Sequence, residues 1–271
     1  MAIQDKNLNF HTTFGPELQY ISKILELGHE SYIGNMEEIS KKTGIPTGLS
    51  SGKVVPSIMY ASYMGLVDYS VKKAVYEITT TELGKLIFEE DPHLMEPLTK
   101  LILNYNITDE KIGAPQWCYL FRKYEGNKEI KKEDLIRELE KFFGKPSINI
   151  TPVLGTYKNA FEDLKLITES NGKVIFEKRP VLIENIYVYG YTLLKDWEEV
   201  YPNQKEITIL NVLNDLKWGK PFGFEYDDIL EALELMEEHN LVKLNKQLSP
   251  LTIIKLEESN EAKYNLYSML I

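Results

Sequence analysis

A single cysteine, Cys118, among 271 residues leaves no partner for an internal disulfide and no thiolate set for a multi-cysteine metal site. No run approaches the roughly 20 consecutive apolar residues that a membrane-spanning helix needs. The opening MAIQDKNLNFHTTF has no basic region leading into an apolar core, so no secretory signal is read there. These absences make the cytoplasm the natural expectation, with no membrane partner. Basic excess is also lacking: 31 Lys and Arg face 41 Asp and Glu, for a formal net charge of −10. Proteins that coat nucleic acid indiscriminately draw affinity from Lys and Arg neutralising phosphates, so that class is disfavoured. Of the histidines, His29, His93 and His239 have no partner at metal-ligand spacing and read as surface or capping groups.

What is present is the balance of an ordinary globular chain, 43% hydrophobic and 27% charged. The length suits one large domain or two small ones. The charge is unevenly placed. From Lys41 to Val75 the chain carries Lys41, Lys42, Lys53, Lys72 and Lys73 against Asp68 alone. From Asp227 to Glu238 it carries Asp227, Asp228, Glu231, Glu234, Glu237 and Glu238 with no base. A basic N-terminal patch is expected on an acidic body, and local charge is a better guide to partners than the net value.

Helical spacing follows Pro16 through Leu18, Ile21, Ile24, Leu25 and Leu27, with Gly28 able to end that helix. Asn35 caps a short second helix, with Glu38 as its capping-box partner. Gly44, Ile45 and Pro46 make a turn, and a longer run follows from Leu49 to Leu66, with Pro56 either beginning the regular helix or kinking it. After Gly65 the period changes. Leu66 to Tyr69 and Val75 to Ile78 read as two strands around the polar turn Ser70 to Lys73, and Thr79 to Phe88 returns to helix. Helix, short helix, longer helix and hairpin is the order of a winged helix-turn-helix, in which the third helix leads into a groove by its N-terminal end.

The middle, Pro92 to Lys145, reads as helical, and the ending of the first unit echoes twice. Leu166-Ile167, a Gly172 turn and Lys173 to Phe176 follow one helix; Leu241-Val242, a turn near Ser249-Pro250 and Leu251 to Leu256 follow another. The expected fold class is mainly α with small β wings (α+β): a winged helix-turn-helix domain over 1–91, a helical linker region over 92–145, and a C-terminal domain over 146–271 with one or two further winged-helix-like units.

Several motifs resemble a bacterial family known only as a domain of unknown function. They are Phe10-His11-Thr12-Thr13-Phe14, Ser51-Gly52-Lys53-Val54-Val55, Leu83-Gly84 with Asp91-Pro92, Pro115 to Tyr124, and KWGKPFGF over Lys217 to Phe224. Val54 stands where that family usually has Asn after the motif lysine. The family is found beside genes for sulfurtransferases of the phosphoadenosine-phosphosulfate-reductase type, in loci for DNA phosphorothioation and phage defence, and has relatives called SspB. The resemblance implies work in DNA modification or restriction, alongside a sulfurtransferase and an ATPase, with DNA nicking as an option.

Ser50, Ser51 and Lys53 at the start of the third helix, Tyr60 within it and Lys72 and Lys73 at the wing are the first nucleic-acid-binding candidates; each has an ordinary surface or core alternative. Arg122 and Lys123 beside Trp117 suit phosphate binding and base stacking, although Trp117, Tyr119, Leu120 and Tyr124 equally suit a core. His11 is the one catalytic candidate, as a general base, and a structural cap is the preferred reading. Glu89, Glu90, Asp91, Asp109 and Glu110 fit no nuclease spacing, so no metal ligands are assigned. No cofactor is evident, and magnesium is an option if the chain nicks DNA. Two functions stay open: a DNA-binding component of a phosphorothioation or defence system, and a protein-interaction adaptor that docks the sulfurtransferase or ATPase without touching DNA.

Overall fold

Local chemistry sets the first elements of the chain. In the computed structural model, which describes residues 3–48 and 52–270, helix α1 (Leu18–His29) leads to strand β1 (Ile33–Asn35) and helix α2 (Met36–Thr43). The Asn35 side chain accepts the backbone N–H groups of Glu37 and Glu38, both at 3.0 Å, while the Glu38 carboxylate accepts the Asn35 N–H at 2.8 Å. This is the capping box read from the sequence. Gly44, at φ 74°, closes α2 in the left-handed conformation that favours glycine. Gly28 has a different role from the expected one. It lies inside α1, where a Cβ would stand 2.8 Å from the Val67 side chain, so the glycine lets the helix approach the sheet.

Helix α3 (Val54–Tyr63) starts later than the run from Leu49 implied, and Pro56 sits in its first turn, where a missing N–H costs nothing. Strands β2 (Val67–Lys72) and β3 (Val75–Thr80) follow. Lys72 pairs with Val75, leaving Lys73 and Ala74 as a two-residue tip with φ of 50° and 64°. Two positive φ values match the right-handed twist of a hairpin. Strand β1 joins the far side of β3 in antiparallel register, Ile33 opposite Glu77, giving the order β1-β3-β2.

Helix α4 (Glu82–Glu90) is capped by Thr81, whose hydroxyl accepts the Gly84 N–H at 2.8 Å and donates to the Gly65 carbonyl at 2.6 Å. Helix α5 (Pro97–Ile107) and a short α6 (Pro115–Cys118) follow, α6 running into a π-helical turn, Tyr119–Lys123. The middle of the chain is not all helix. Strand β4 (Glu129–Lys131) precedes α7 (Lys132–Phe143) and α8 (Thr151–Lys158), then the hairpin β5 (Ile167–Ser170) and β6 (Lys173–Phe176). Its sheet has the order β4-β6-β5, and its tip, Asn171-Gly172, again has two positive φ values, 52° and 72°. A third sheet, ordered β7-β9-β8, is built from β7 (Glu206–Thr208), β8 (Val242–Asn245) and β9 (Thr252–Lys255). Helix α9 (Ile186–Val200) precedes it, α10 (Tyr226–Glu238) lies within its sequence, and α11 (Ser259–Tyr264) follows and packs on α9.

Strand, helices and hairpin therefore recur three times with one pairing rule: the first strand adds to the far edge of the hairpin's second strand. Among the described residues, three small antiparallel sheets with the helices make the fold α+β, as the sequence implied. Contacts divide the chain into two compact units, Met1–Glu177 and Lys178–Ile271. Residues 91 and 145, expected as boundaries, both lie inside the first. The reason is visible in β4, whose backbone bonds to β6 tie the middle of the chain to the second hairpin. The first unit buries Trp117, Tyr60 and Tyr105 at its centre; the second buries Trp197, Trp218 and Tyr189.

Candidate nucleic-acid interface

The end of the first hairpin carries two exposed basic groups of the N-terminal patch. Lys72 ends β2 and Lys73 occupies the tip; both are exposed, and neither has an ion-pair partner among the described residues. The patch is otherwise largely neutralised. The Lys42 amine pairs with the Glu30 carboxylate and lies over the Tyr32 ring, and that partner raises the Lys42 pKa. Lys41 stays exposed.

Lys53 stands at the N-cap of α3, where the sequence put it, yet its amine is occupied. It meets the Glu17 carboxylate at 2.6 Å and lies 4.9 Å from the Phe14 ring centre and 5.6 Å from that of Tyr20. No linear spacing announces this pairing, because Glu17 precedes Lys53 by a whole helix-strand-helix passage. Ser50 and Ser51 lie outside the described residues.

Tyr60, Arg122 and Trp117 sit inside. Tyr60 is 1% exposed; its hydroxyl donates to the Phe14 carbonyl at 2.8 Å and burial holds its pKa well above the ordinary value. A ring so placed is core and cannot face a ligand, which corrects the surface reading. Arg122 is 3% exposed, its guanidinium 4.6 Å from the Tyr105 ring centre, so it too leaves the surface. Lys123 pairs with Glu110 at 2.6 Å. Trp117 is fully buried and takes no stacking role at a surface.

Two of the motifs, Phe10 to Phe14 and Pro115 to Tyr124, meet around Trp117. Its ring lies 5.9 Å from Phe10, 6.3 Å from His11 and 5.7 Å from Tyr60. His11 is 0% exposed. Its Nδ1 is 3.2 Å from the Thr12 carbonyl, which fixes the proton there, and Nε2 then accepts from the Gln116 amide at 3.4 Å. Burial lowers its pKa below 6.5, the Thr12 carbonyl acting in the opposite sense. An imidazole with both nitrogens engaged and no solvent access ties the N-terminal segment to α6; this geometry gives no general base. Lys6, which no motif marked, works beside it. Its amine donates to the carbonyls of Lys111 and Gly113, both at 2.7 Å, and burial lowers its pKa. In the second unit the KWGKPFGF stretch packs Trp218, Phe222 and Phe224 around Tyr189, and the Trp218 indole donates to the Thr192 hydroxyl at 3.0 Å.

Two of the carboxylates weighed for metal chemistry, Asp91 and Asp109, serve the backbone instead. Asp91 accepts the N–H groups of Met95 and Glu96, each at 2.9 Å, and Asp109 those of Lys111 and Ile112 at 2.7 and 2.9 Å. Among the described residues, no three His, Cys, Asp or Glu side chains come together as a group able to hold a metal ion. None of the helices among them is long and apolar enough to cross a membrane.

A family model described as protein of unknown function, DUF4007, matches residues 9–156, more than half of the chain. Among solved structures, the fold is similar to a crystal structure of SspB, with a TM-score of 0.78 and 15% identity over 97% of this chain and 87% of that one. It is likewise similar to a magnesium ion-bound crystal structure of SspB, with a TM-score of 0.76 and the same identity and coverage. At that identity the likeness speaks to the fold. No curated protein matches the chain.

Proposed function

This chain belongs to the DUF4007 family, and we propose that it is a DNA-binding component of a DNA phosphorothioation or phage-defence system. The observation that carries this is the first hairpin. Lys72 at the end of β2 and Lys73 at the tip are both exposed, in a helix-strand-helix-helix-hairpin passage that has the element order of a winged helix-turn-helix. In such a module the hairpin is the wing, and exposed cations on it meet phosphates or a minor groove. The similarity to SspB supports the phosphorothioation setting. A sulfurtransferase and an ATPase are the partners this reading expects.

Salt-dependent binding of duplex DNA, followed by fluorescence anisotropy, tests it. Each lost phosphate contact lowers the log–log salt slope by about 0.9, so Lys72→Ala with Lys73→Ala lowers it by about 1.8 and weakens binding about 30-fold at 0.15 M salt. A parent chain that shows no salt-dependent binding sinks the proposal. Nicking is assayed on the same preparations with supercoiled plasmid, magnesium and a chelator. One of the similar SspB structures is magnesium ion-bound, but no group of three His, Cys, Asp or Glu that could hold a metal ion is found among this chain's described residues, and no catalytic residue is assigned.

A second reading, the adaptor, draws on α10. That helix exposes Asp227, Glu231, Glu234 and Glu238, a surface that repels phosphate and suits a basic protein. It expects stable co-purification with the sulfurtransferase or ATPase of the same locus and no DNA binding at physiological salt.

A further inference from the structure

The second repeat holds a groove that no sequence motif marks. It lies within the first unit, between α8 and the β5–β6 hairpin, and encloses about 900 Å³. Topologically this is the counterpart of the space between α3 and the β2–β3 hairpin, since both sheets follow the same strand order. The groove floor is apolar, from the buried Leu154 and Ile167. Gly155 leaves bare backbone on the α8 wall: a Cβ there would find nothing nearer than the Asn159 amide at 4.0 Å.

The rim is cationic once its ion pair is taken into account. Lys132 holds the Glu169 carboxylate at 2.8 Å, which removes that acid as a repellent. Lys158 and Lys165 are exposed, line the groove, and have no ion-pair partner among the described residues. Glu162 is the remaining acid of the lining, so the lining residues sum to one net positive charge (Lys132, Lys158 and Lys165 against Glu162 and Glu169). Two lysines of the lining, one ending α8 and one in the segment just before β5, match the repeating phosphates of an extended polyanion. The third repeat supplies the internal contrast, because its corresponding helix, α10, presents carboxylates instead.

We infer that the groove between α8 and the β5–β6 hairpin is a second binding site for a nucleic-acid phosphodiester backbone, with Lys158 and Lys165 meeting its phosphates. The chain then holds nucleic acid at two places while the third repeat stays clear of it. This rests on the DNA-binding reading above.

The experiment compares the full-length parent with two double variants, Lys158→Ala/Lys165→Ala and Lys72→Ala/Lys73→Ala. Stoichiometry is read with duplexes of about one helical turn, roughly 10 base pairs. The parent binds two such duplexes per chain, and each double variant binds one. On long duplex, Lys158→Ala/Lys165→Ala weakens binding about 30-fold at 0.15 M salt and lowers the salt slope by about 1.8. Lys158→Arg/Lys165→Arg, which keeps the charge, restores parental stoichiometry. Circular dichroism checks that all variants fold. Should Lys158→Ala/Lys165→Ala keep parental stoichiometry and slope while Lys72→Ala/Lys73→Ala loses both, the second site is refuted and the first stands. A parent that binds no DNA refutes the functional reading itself, and the second site with it.

Discussion

Replacing Lys53 by alanine separates structural support from DNA contact at the residue the motif singles out. In the fold its amine is held by Glu17 at 2.6 Å and covered by the Phe14 and Tyr20 rings. The pair is partly exposed, with 25% and 34% of the two side chains accessible, so screening limits it to about 1 kcal/mol or less. Cation–ring contacts at such sites contribute about 0.5–1 kcal/mol. Lys53→Ala should therefore cost about 1–2 kcal/mol, and in a unit of this size each kcal/mol lowers Tm by about 2–4 °C. Thermal denaturation reads the loss. A double-mutant cycle with Glu17→Gln should return a coupling of about 0.5–1 kcal/mol, because the two groups touch. DNA affinity, measured on folded protein at matched salt, should stay within about twofold, whereas loss of one phosphate contact at 0.15 M salt weakens binding about fivefold. A fivefold or greater loss of affinity with an unmoved Tm would show that the amine meets phosphate and that the Glu17 pairing is incidental.

Two further perturbations probe the core. Gly84→Ala places a Cβ 1.9 Å from the Leu66 carbonyl oxygen, a backbone atom that cannot step aside cheaply. Denaturant titration should register a loss of at least about 1–3 kcal/mol, and near-parental stability would mean that α4 does not pack so closely on that loop. His11 gives a pH signature. Burial lowers its folded pKa below 6.5, so the unfolded chain binds the proton more readily. The contribution of the neutral ring is complete above pH 6.5 and is lost as pH falls through the lower folded pKa. Stability of His11→Gln, followed by denaturant titration, should fall less steeply over that acid range than that of the parent. Parallel pH curves for the two proteins would place His11 in contact with water.

Much of the architecture is written in short-range signals. The capping box of Asn35 and Glu38, the Gly44 stop and the Asn171-Gly172 tip are local energetics, decided within a few residues. The repeated hairpins were legible for the same reason, since Leu166-Ile167 and Leu241-Val242 mark helix-to-strand junctions directly in the sequence. The opening strand of each repeat was not. Ile33–Asn35, Glu129–Lys131 and Glu206–Thr208 are three residues each, too short to show a period, and become strands only by pairing with β3, β6 and β9 far along the chain.

The same distinction governs the candidate site. The sequence by itself determined a first helix-and-hairpin unit with looser echoes of its ending, a lysine-rich first hairpin and an acidic late helix, because element type and charge are properties of neighbouring residues. Only the tertiary structure decided which of the candidate groups face outward. Lys53, Tyr60 and Arg122 have the same residue types as surface binders, yet one is paired with Glu17 and two are buried, while Lys72 and Lys73 remain exposed. Burial and ion pairing are set by what the chain brings back from a distance, and that information is carried by packing and not by spacing.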